Sequence, residues 1–444
     1  MARRKSVENV SSEESTNLVA SLIEGSSFEF VSSDKGSLTD RPYVETPIIA
    51  LNCLLGGGLP LGSLVEVFGP NASGKSSILY ETLGNFQKKY PNGVAFIVDT
   101  ESSTDDTRLR QLGVDPSRAP RTGAPTLEDG FNQITNILTK MANDSRYDGF
   151  PVMIMWDTIA NSGLRTQINE GADYNRMVAM ERARILKYHL MKLFPLIEKL
   201  NVLIVLLNQA TVDMSGFHPG ITSSGGNALQ HNIHLRIKVD GGQTEYDGVF
   251  PAIKNSKLSL LKSKISPLMN NFRVRIDIRN GGTVNKNTSL TYWMIDLGLW
   301  NNGAWWTWKD EWYQKYKPYI DKFPVFEGNR KFRQVELWDN KLIAGDQNFI
   351  KLLSLIWTDL ICENYSLQSK VCSHLRTQLI ADLMNNLGLT YEDINRQETT
   401  APESELVSED SQESVEELLE ALTGTVDTST GEIVEGENDG QVSE

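Results

Sequence analysis

Cysteine is scarce: Cys53, Cys362 and Cys372 are the only three in 444 residues. An odd count without metal-ligand spacing excludes a disulfide framework or a zinc site, and reads as buried reduced thiols in a cytoplasm. Long apolar runs are missing too. The longest, Val202–Leu207, is far short of the roughly 20 residues of a membrane helix. The start, MARRKSVENVSSEEST, is basic but carries no apolar stretch, so neither a membrane span nor a signal peptide is expected. Basic residues are missing from the C-terminal stretch: Glu398 to Glu444 holds 15 acidic residues and no Lys or Arg. The remainder carries 43 basic and 42 acidic residues, so the net charge of −14 belongs to the tail. A nearly neutral body leaves basic surface for an anionic partner.

What is present has the order of an α/β chain. SLVEVFG, GVAFIVDT, PVMIMWDT and NVLIVLLNQ are continuous apolar runs, the pattern of buried strands in a mainly parallel sheet covered by helices on both faces. Before them, Leu18, Val19, Leu22 and Ile23 form a helical stripe followed by the alternating SFEFVS. The divisions read as an N-terminal helix/strand oligomerisation segment at 1–45, a core at 46–299, a small aromatic-rich C-terminal domain at 300–397 and a disordered acidic tail at 398–444. Trp300, Trp305, Trp306, Trp308 and Trp312 read as packing residues.

VEVFGPNASGKSS fits G-x-x-x-x-G-K-[ST], after an apolar strand and before a helix. In that context Gly69, Pro70, Asn71, Ala72, Ser73, Gly74, Lys75, Ser76 and Ser77 form a phosphate cradle: backbone N–H groups curl around the phosphates, Lys75 reaches the β/γ oxygens and Ser76 ligates Mg²⁺. Two further strand ends carry carboxylates. Glu101 alone reads equally as a solvated residue, and Asp157 alone as a helix N-cap. Beside a phosphate cradle, Glu101 can orient or deprotonate water and Asp157 can support the metal. Gln209, at the end of the fourth run, can hydrogen-bond a γ-phosphate. Two long polar stretches follow, 161–177 and 210–224, and both are expected to be loops forming a binding surface at the sheet edge. In LSLLKSKISP, read as a strand, Lys262 and Lys264 fall on the same face as Leu258 and Leu260. Taken alone they are a basic edge that deters aggregation.

These motifs in this order resemble the RecA family of DNA strand-exchange recombinases, and the acidic tail is similar to its phage UvsX branch. The likeness runs from about Thr46 to Trp306 through GGLPLGSLVEVFGPNASGKSS, FIVDTESSTDDTRLRQLGVD, NQ…SSGGNAL, LKSKI and DLGLW…GAWW. It implies a RecA-like P-loop ATPase core and a homo-oligomeric helical filament. It further implies ATP with Mg²⁺, binding of single-stranded and duplex DNA, and homologous pairing in recombination, repair and recombination-dependent replication. The setting would be a bacterial or phage-infected cytoplasm, with accessory single-strand-binding and loader proteins left open. By motif, Glu101 is the catalytic carboxylate, Ser76 and Asp157 serve the metal, and Gln209 switches between γ-phosphate and DNA. Asp105 and Arg108 hold the adenine, with Arg108 in place of the family's aromatic residue. Arg165, Arg176, Arg182 and Arg184 belong to the first DNA-binding loop and its helix, while Phe217, Gly225, Gly226 and Asn227 belong to the second. Lys262 and Lys264 match the pair that reaches a neighbour's γ-phosphate.

Two departures stand out. The second loop has no Lys or Arg, so Phe217 and His218 are left to wedge or stack between bases. Gln230 and His231 stand where the bacterial branch has Lys and Phe, although Arg236 is retained. A hexameric helicase sharing the fold would carry a larger N-terminal helical domain. A non-catalytic mediator would often lack Glu101, Lys262 or Lys264.

Overall fold

A computed structural model of the chain describes residues 41–101, 105–170, 176–213, 220–264, 272–301, 305–326, 331–333, 346–364, 370–390 and 393–394. After a short ribbon of β1 (Tyr43–Val44) with β2 (Leu59–Pro60), six strands run parallel: β3 (Ser63–Gly69), β4 (Val94–Asp99), β5 (Arg121–Thr122), β6 (Val152–Asp157), β7 (Val202–Asp213) and β9 (Leu235–Asp247). β8 (Gly220–Ser223) folds back on β7, and β10 (Phe250–Ser263) and β11 (Phe272–Arg279) extend the sheet antiparallel. The order across is β11-β10-β9-β3-β7-β6-β4-β5.

The continuous apolar runs follow from burial on both faces. Val65, Val67, Met153, Met155, Val205 and Leu207 enter one apolar cluster, whereas Leu64, Ile154, Trp156, Ile204 and Leu206 enter the other. Helices α1 (Ile49–Leu54), α2 (Lys75–Lys89) and α3 (Asp106–Gln111) cover the first face. α4 (Leu127–Ala142) and α6 (Arg176–Leu200) cover the second, with the short α5 (Arg165–Glu170) between them in sequence. Helix α4 starts under a Thr126 cap, whose hydroxyl accepts from the Asp129 N–H. Trp293 stacks on Phe272 and on Trp357, with ring centroids 5.0 and 4.8 Å apart. Buried apolar residues beyond Trp300, among them Phe323, Phe349 and Trp357, thus join the first cluster. Trp300, Trp306 and Trp308 are buried there as packing residues, while Trp305 is about half exposed with Arg333 over its ring.

Two expectations are corrected here. Residues 210–224 are not one loop: Thr211, Val212, Ile221 and Thr222 belong to paired strands, as β-branched residues favour. The Gly- and Ser-rich composition had masked that alternation; Phe217 and His218 lie outside the described residues. The described part of the stretch after Asp157 is likewise mostly helical, with a 3₁₀ turn at Ile159–Asn161 before α5.

Candidate nucleotide site and DNA-facing edge

β3 is buried throughout and delivers the phosphate loop at its C-terminal end. A Cβ on Gly69 would lie 2.0 Å from the Val239 carbonyl oxygen of β9. Gly74, with φ of +99°, begins α2 in a left-handed conformation. These glycines serve the seating of the loop on its neighbours as well as phosphate access. Pro70, Asn71 and Ala72 are exposed, and Ser73 and Ser77 are buried. Lys75 folds onto its own loop, donating to the carbonyls of Gly69 at 3.0 Å and Pro70 at 2.7 Å. Burial pushes its pKa down, and the charges of Asp157 and Glu101 oppose that. A triphosphate would supply stronger acceptors than these carbonyls, at the N-terminal end of a helix.

Asp99 and Asp157 are register partners on β4 and β6. Thr100 and Thr158 lace this edge together. The Thr100 N–H donates to the Asp157 carbonyl at 2.8 Å, and the Thr158 hydroxyl donates to the Leu207 carbonyl of β7 at 2.8 Å. Asp157 accepts hydrogen bonds from Ser76 and, at 3.3 Å, from Tyr80 of α2. Burial above all, then the nearby charges of Glu101 and Asp99, hold its carboxyl up at about 6 despite those bonds.

That set fits Mg²⁺. A hydroxyl and one buried carboxylate, with further acids nearby, suit a hard cation that takes few protein ligands and keeps its phosphate oxygens and waters. The Ser73 hydroxyl is buried in the same loop without a hydrogen-bond partner. Among the described residues no cluster of three or more His, Cys, Asp or Glu offers an all-protein metal cage.

Gln209 is the register partner of Gly69, so it stands beside the phosphate loop as the sequence reading placed it. Its Nε2 donates to Asn161 Oδ1 at 3.2 Å, and Asn161 Nδ2 donates to Glu101 Oε1 at 3.1 Å. Only this orientation of the Asn161 amide satisfies both partners. Asn161 escaped the sequence reading because nothing marks a short amide within a polar stretch.

Where the resemblance places the base, Asp105 caps α3 by accepting from the Arg108 N–H at 2.7 Å. The Arg108 guanidinium donates to the Gly281 carbonyl and, at 3.2 Å, to Ser77. It therefore lies between the phosphate loop and the turn after β11, a position from which it can stack on a base.

The arginines expected around the first DNA loop divide. Arg184 is exposed and Arg165 forms a surface pair with Asp129 at 2.5 Å. Such a pair is worth little and yields readily to phosphate. Arg182 differs from expectation. Half-buried, it donates to the Ile159 and, at 2.9 Å, the Ser162 carbonyls, so it braces the 3₁₀ turn instead of facing outward. Arg176 opens α6, and Gly226 and Asn227 open α7 (Gly226–Asn232) after the left-handed Gly225. The side chains of Arg176 and Asn227 lie outside the described ones.

Lys262 and Lys264 also depart from the strand reading. A bulge between Leu260 and Lys262 shifts the alternation, turning Ser263 inward and leaving Lys262 half-buried and Lys264 exposed. Lys262 Nζ donates to the Gln230 carbonyl at 2.6 Å and the His231 carbonyl at 3.2 Å, near the C-terminal end of α7. Burial first, then the charges of Lys264 and Arg236, lower its pKa. Lys262 is opposite Arg236, which pairs with Glu66; the Lys264 N–H reaches the His234 carbonyl, and the His234 N–H reaches that of Leu64. At about 3.3 Å per residue along β3 and 4.8 Å per strand across, the Lys264 backbone lies roughly 15–20 Å from its own phosphate loop. Among the described residues neither lysine forms an ion pair.

Between these two ends lies a network not anticipated from sequence. Glu66, fully buried in β3, accepts from Arg236 at 2.9 Å and from Asn208 at 2.9 Å. Arg236 also donates to Ser223 at 3.0 Å, and Asn208 to the Ser224 carbonyl at 2.7 Å. The base of the β7–β8 ribbon is thereby tied to the strand that carries the phosphate loop. A lone Glu within SLVEVFG was the available signal, since a buried carboxylate demands a partner.

A family model for the RecA N-terminal domain matches residues 34–284. Protein RecA of Sinorhizobium medicae is 30% identical over 290 residues, covering 62% of this chain and 74% of that protein. Protein RecA of Rhizobium etli is 30% identical over 281 residues, covering 60% of this chain and 71% of its own length. With the phosphate loop, both carboxylates and Gln209 gathered on one edge of a mainly parallel sheet, the chain belongs to the RecA family.

Proposed function

We propose that the protein is an ATP-dependent DNA recombinase of the phage UvsX branch. It assembles as a helical filament on single-stranded DNA and pairs that strand with homologous duplex. One observation carries the reading: β7 stands beside the phosphate loop at Gln209 and continues unbroken into the β7–β8 ribbon. A change at the γ-phosphate and a change at the DNA-facing ribbon therefore act on one strand.

In the hydrolytic step Glu101 takes a proton from water as its oxygen attacks the γ-phosphorus. The bond from that phosphorus to the β,γ-bridging oxygen breaks, and ADP leaves with the electron pair. Lys75 offsets charge on the phosphates. Ser76, with Asp157 behind it, would hold Mg²⁺, which neutralises the triphosphate when bound. Asp105 and Arg108 hold the base. Lys262 and Lys264, which lie on the side of the sheet away from the receiving edge, act on the triphosphate of the adjoining subunit. Arg165, Arg176 and Arg184, with Phe217 and the Gly225–Asn227 turn, meet DNA, and Arg182 positions the first loop.

The segment 1–45 would dock on an adjacent copy, the core 46–299 would carry the chemistry and 300–397 a C-terminal domain. The acidic residues from 398 onward compete with duplex DNA for cationic surface; removing them strengthens duplex binding most at low salt. The test of the whole reading is electron microscopy with ATP and single-stranded DNA, alongside ATPase assays. Helical filaments and DNA-stimulated hydrolysis are expected. Closed rings would instead support the hexameric helicase, and ATP binding without turnover a mediator.

A further inference from the structure

Asn161 joins three things that the proposed function keeps apart: the hydrolytic carboxylate, the γ-phosphate sensor and the first DNA loop. Its Nδ2 holds Glu101 Oε1 at 3.1 Å, and its Oδ1 holds Gln209 Nε2 at 3.2 Å. It closes the 3₁₀ turn Ile159–Asn161, and Arg182 of α6 grips that turn through the carbonyls of Ile159 and Ser162. The other side of the relay is β7, which leads into the second DNA-facing element. A displacement of either DNA element thus reaches Asn161 within one side chain.

The arrangement also has a direction. A carboxylate that accepts a proton from water must aim a lone pair at that water. Here one Glu101 oxygen is engaged by an amide on the DNA-loop side, and Gln209, which could otherwise turn to a γ-phosphate, is engaged by the same amide. Both groups are occupied with each other through Asn161.

We infer that Asn161 is a positioning residue that restrains Glu101 and Gln209 in the DNA-free state, and that DNA at the first loop releases them by moving the turn. This rests on the ATPase reading above and deepens it: Asn161 makes hydrolysis depend on DNA. An alanine at 161 removes both contacts. An aspartate keeps the shape and can still accept from Gln209, but it cannot donate to Glu101 and repels it.

The experiment measures kcat and KM for ATP, with and without single-stranded DNA, in the full-length wild type, Asn161→Ala and Asn161→Asp. The DNA-free kcat is expected to rise about tenfold in both variants, the scale of one lost charge-assisted hydrogen bond. KM should stay unchanged and the DNA-stimulation ratio should fall by a similar factor. A merely structural role would lower both rates and raise KM. Adding Glu101→Gln to Asn161→Ala should remove the gained activity, showing that it runs through Glu101. Binding of a non-hydrolysable ATP analogue reports folding; if the alanine variant fails to bind, the aspartate variant decides. An unchanged DNA-free rate in the folded variants, or a loss confined to the DNA-stimulated rate, overturns the restraint. A wild type without DNA-stimulated turnover removes the parent reading instead, while a raised DNA-free rate in the variants still supports the restraint.

Discussion

At the C-terminal edge of the parallel strands, Lys75 is engaged with loop carbonyls, Asp157 with Ser76 and Tyr80, and Glu101, Asn161 and Gln209 with one another. Toward the other end, Lys262 donates to the Gln230 and His231 carbonyls of α7, and Lys264 is exposed. The first region has acids, donors and a buried cation prepared for a triphosphate. The second has two cations, and among the described residues no acid forms an ion pair with either. On the proposed reading neither region is a whole site by itself. In the proposed filament one edge would receive nucleotide and the other would offer charge, since a head-to-tail, heterologous interface joins different faces and would bring the edge of one subunit to the lysines of the next.

The comparison breaks most visibly at the receiving edge. Lys75→Ala is expected to abolish DNA-stimulated ATP hydrolysis and stable assembly, since the triphosphate loses its main compensating cation. Normal turnover in that variant would remove the phosphate-site assignment. Glu101→Gln sharpens the picture, because shape and most hydrogen bonding survive. It should bind ATP and DNA normally while kcat falls about 10²–10⁴-fold, the usual contribution of a general base. Loss of ATP binding in this variant would contradict the role.

The joint between the two regions is the Glu66–Arg236–Asn208 network. Arg236→Ala leaves a fully buried carboxylate without its cation and should cost about 3–5 kcal/mol in urea unfolding. Lys264→Ala, at an exposed site, should cost within about 0.5 kcal/mol. Equal small losses would mean that the network does not tie ribbon to strand.

Asp157 gives a smaller effect than the network does, and one that depends on pH. Its carboxyl, near 3.8 when unfolded, is raised to about 6 in the folded chain. Folding therefore favours the protonated form, and stability is lost as pH rises from about 4 through 6. Without nucleotide and metal, Asp157→Asn should exceed wild type in stability by about 1 kcal/mol more at pH 7 than at pH 5. Urea midpoints read this; an identical gap at both pH values would show that the charge is no burden.

Much of this was legible in the sequence, for identifiable reasons. Apolar runs buried on both faces announce parallel strands, and the phosphate loop follows from one motif in its strand–helix setting. The position of Glu101, Asp157 and Gln209 at one sheet edge was legible because each ends or follows such a run. What stayed hidden depends on contacts distant in the chain. Glu66 meets Arg236 across 170 residues and Asn161 meets Glu101 across 60, and neither pairing has a local signature. The lysine face was misread because a single bulge reverses strand alternation. The ribbon was misread because Gly, Ser and Pro near its tip outweighed four β-branched residues.

The most direct measurement of a shared active site mixes two inactive proteins. Lys75→Ala and the Lys262→Ala/Lys264→Ala double variant should each be nearly inactive alone. In an equal mixture that co-assembles at random, about a quarter of interfaces pair an intact phosphate loop with intact lysines. ATPase activity should then partly return on adding single-stranded DNA. A mixture that visibly co-assembles yet stays as inactive as its components would contradict the account.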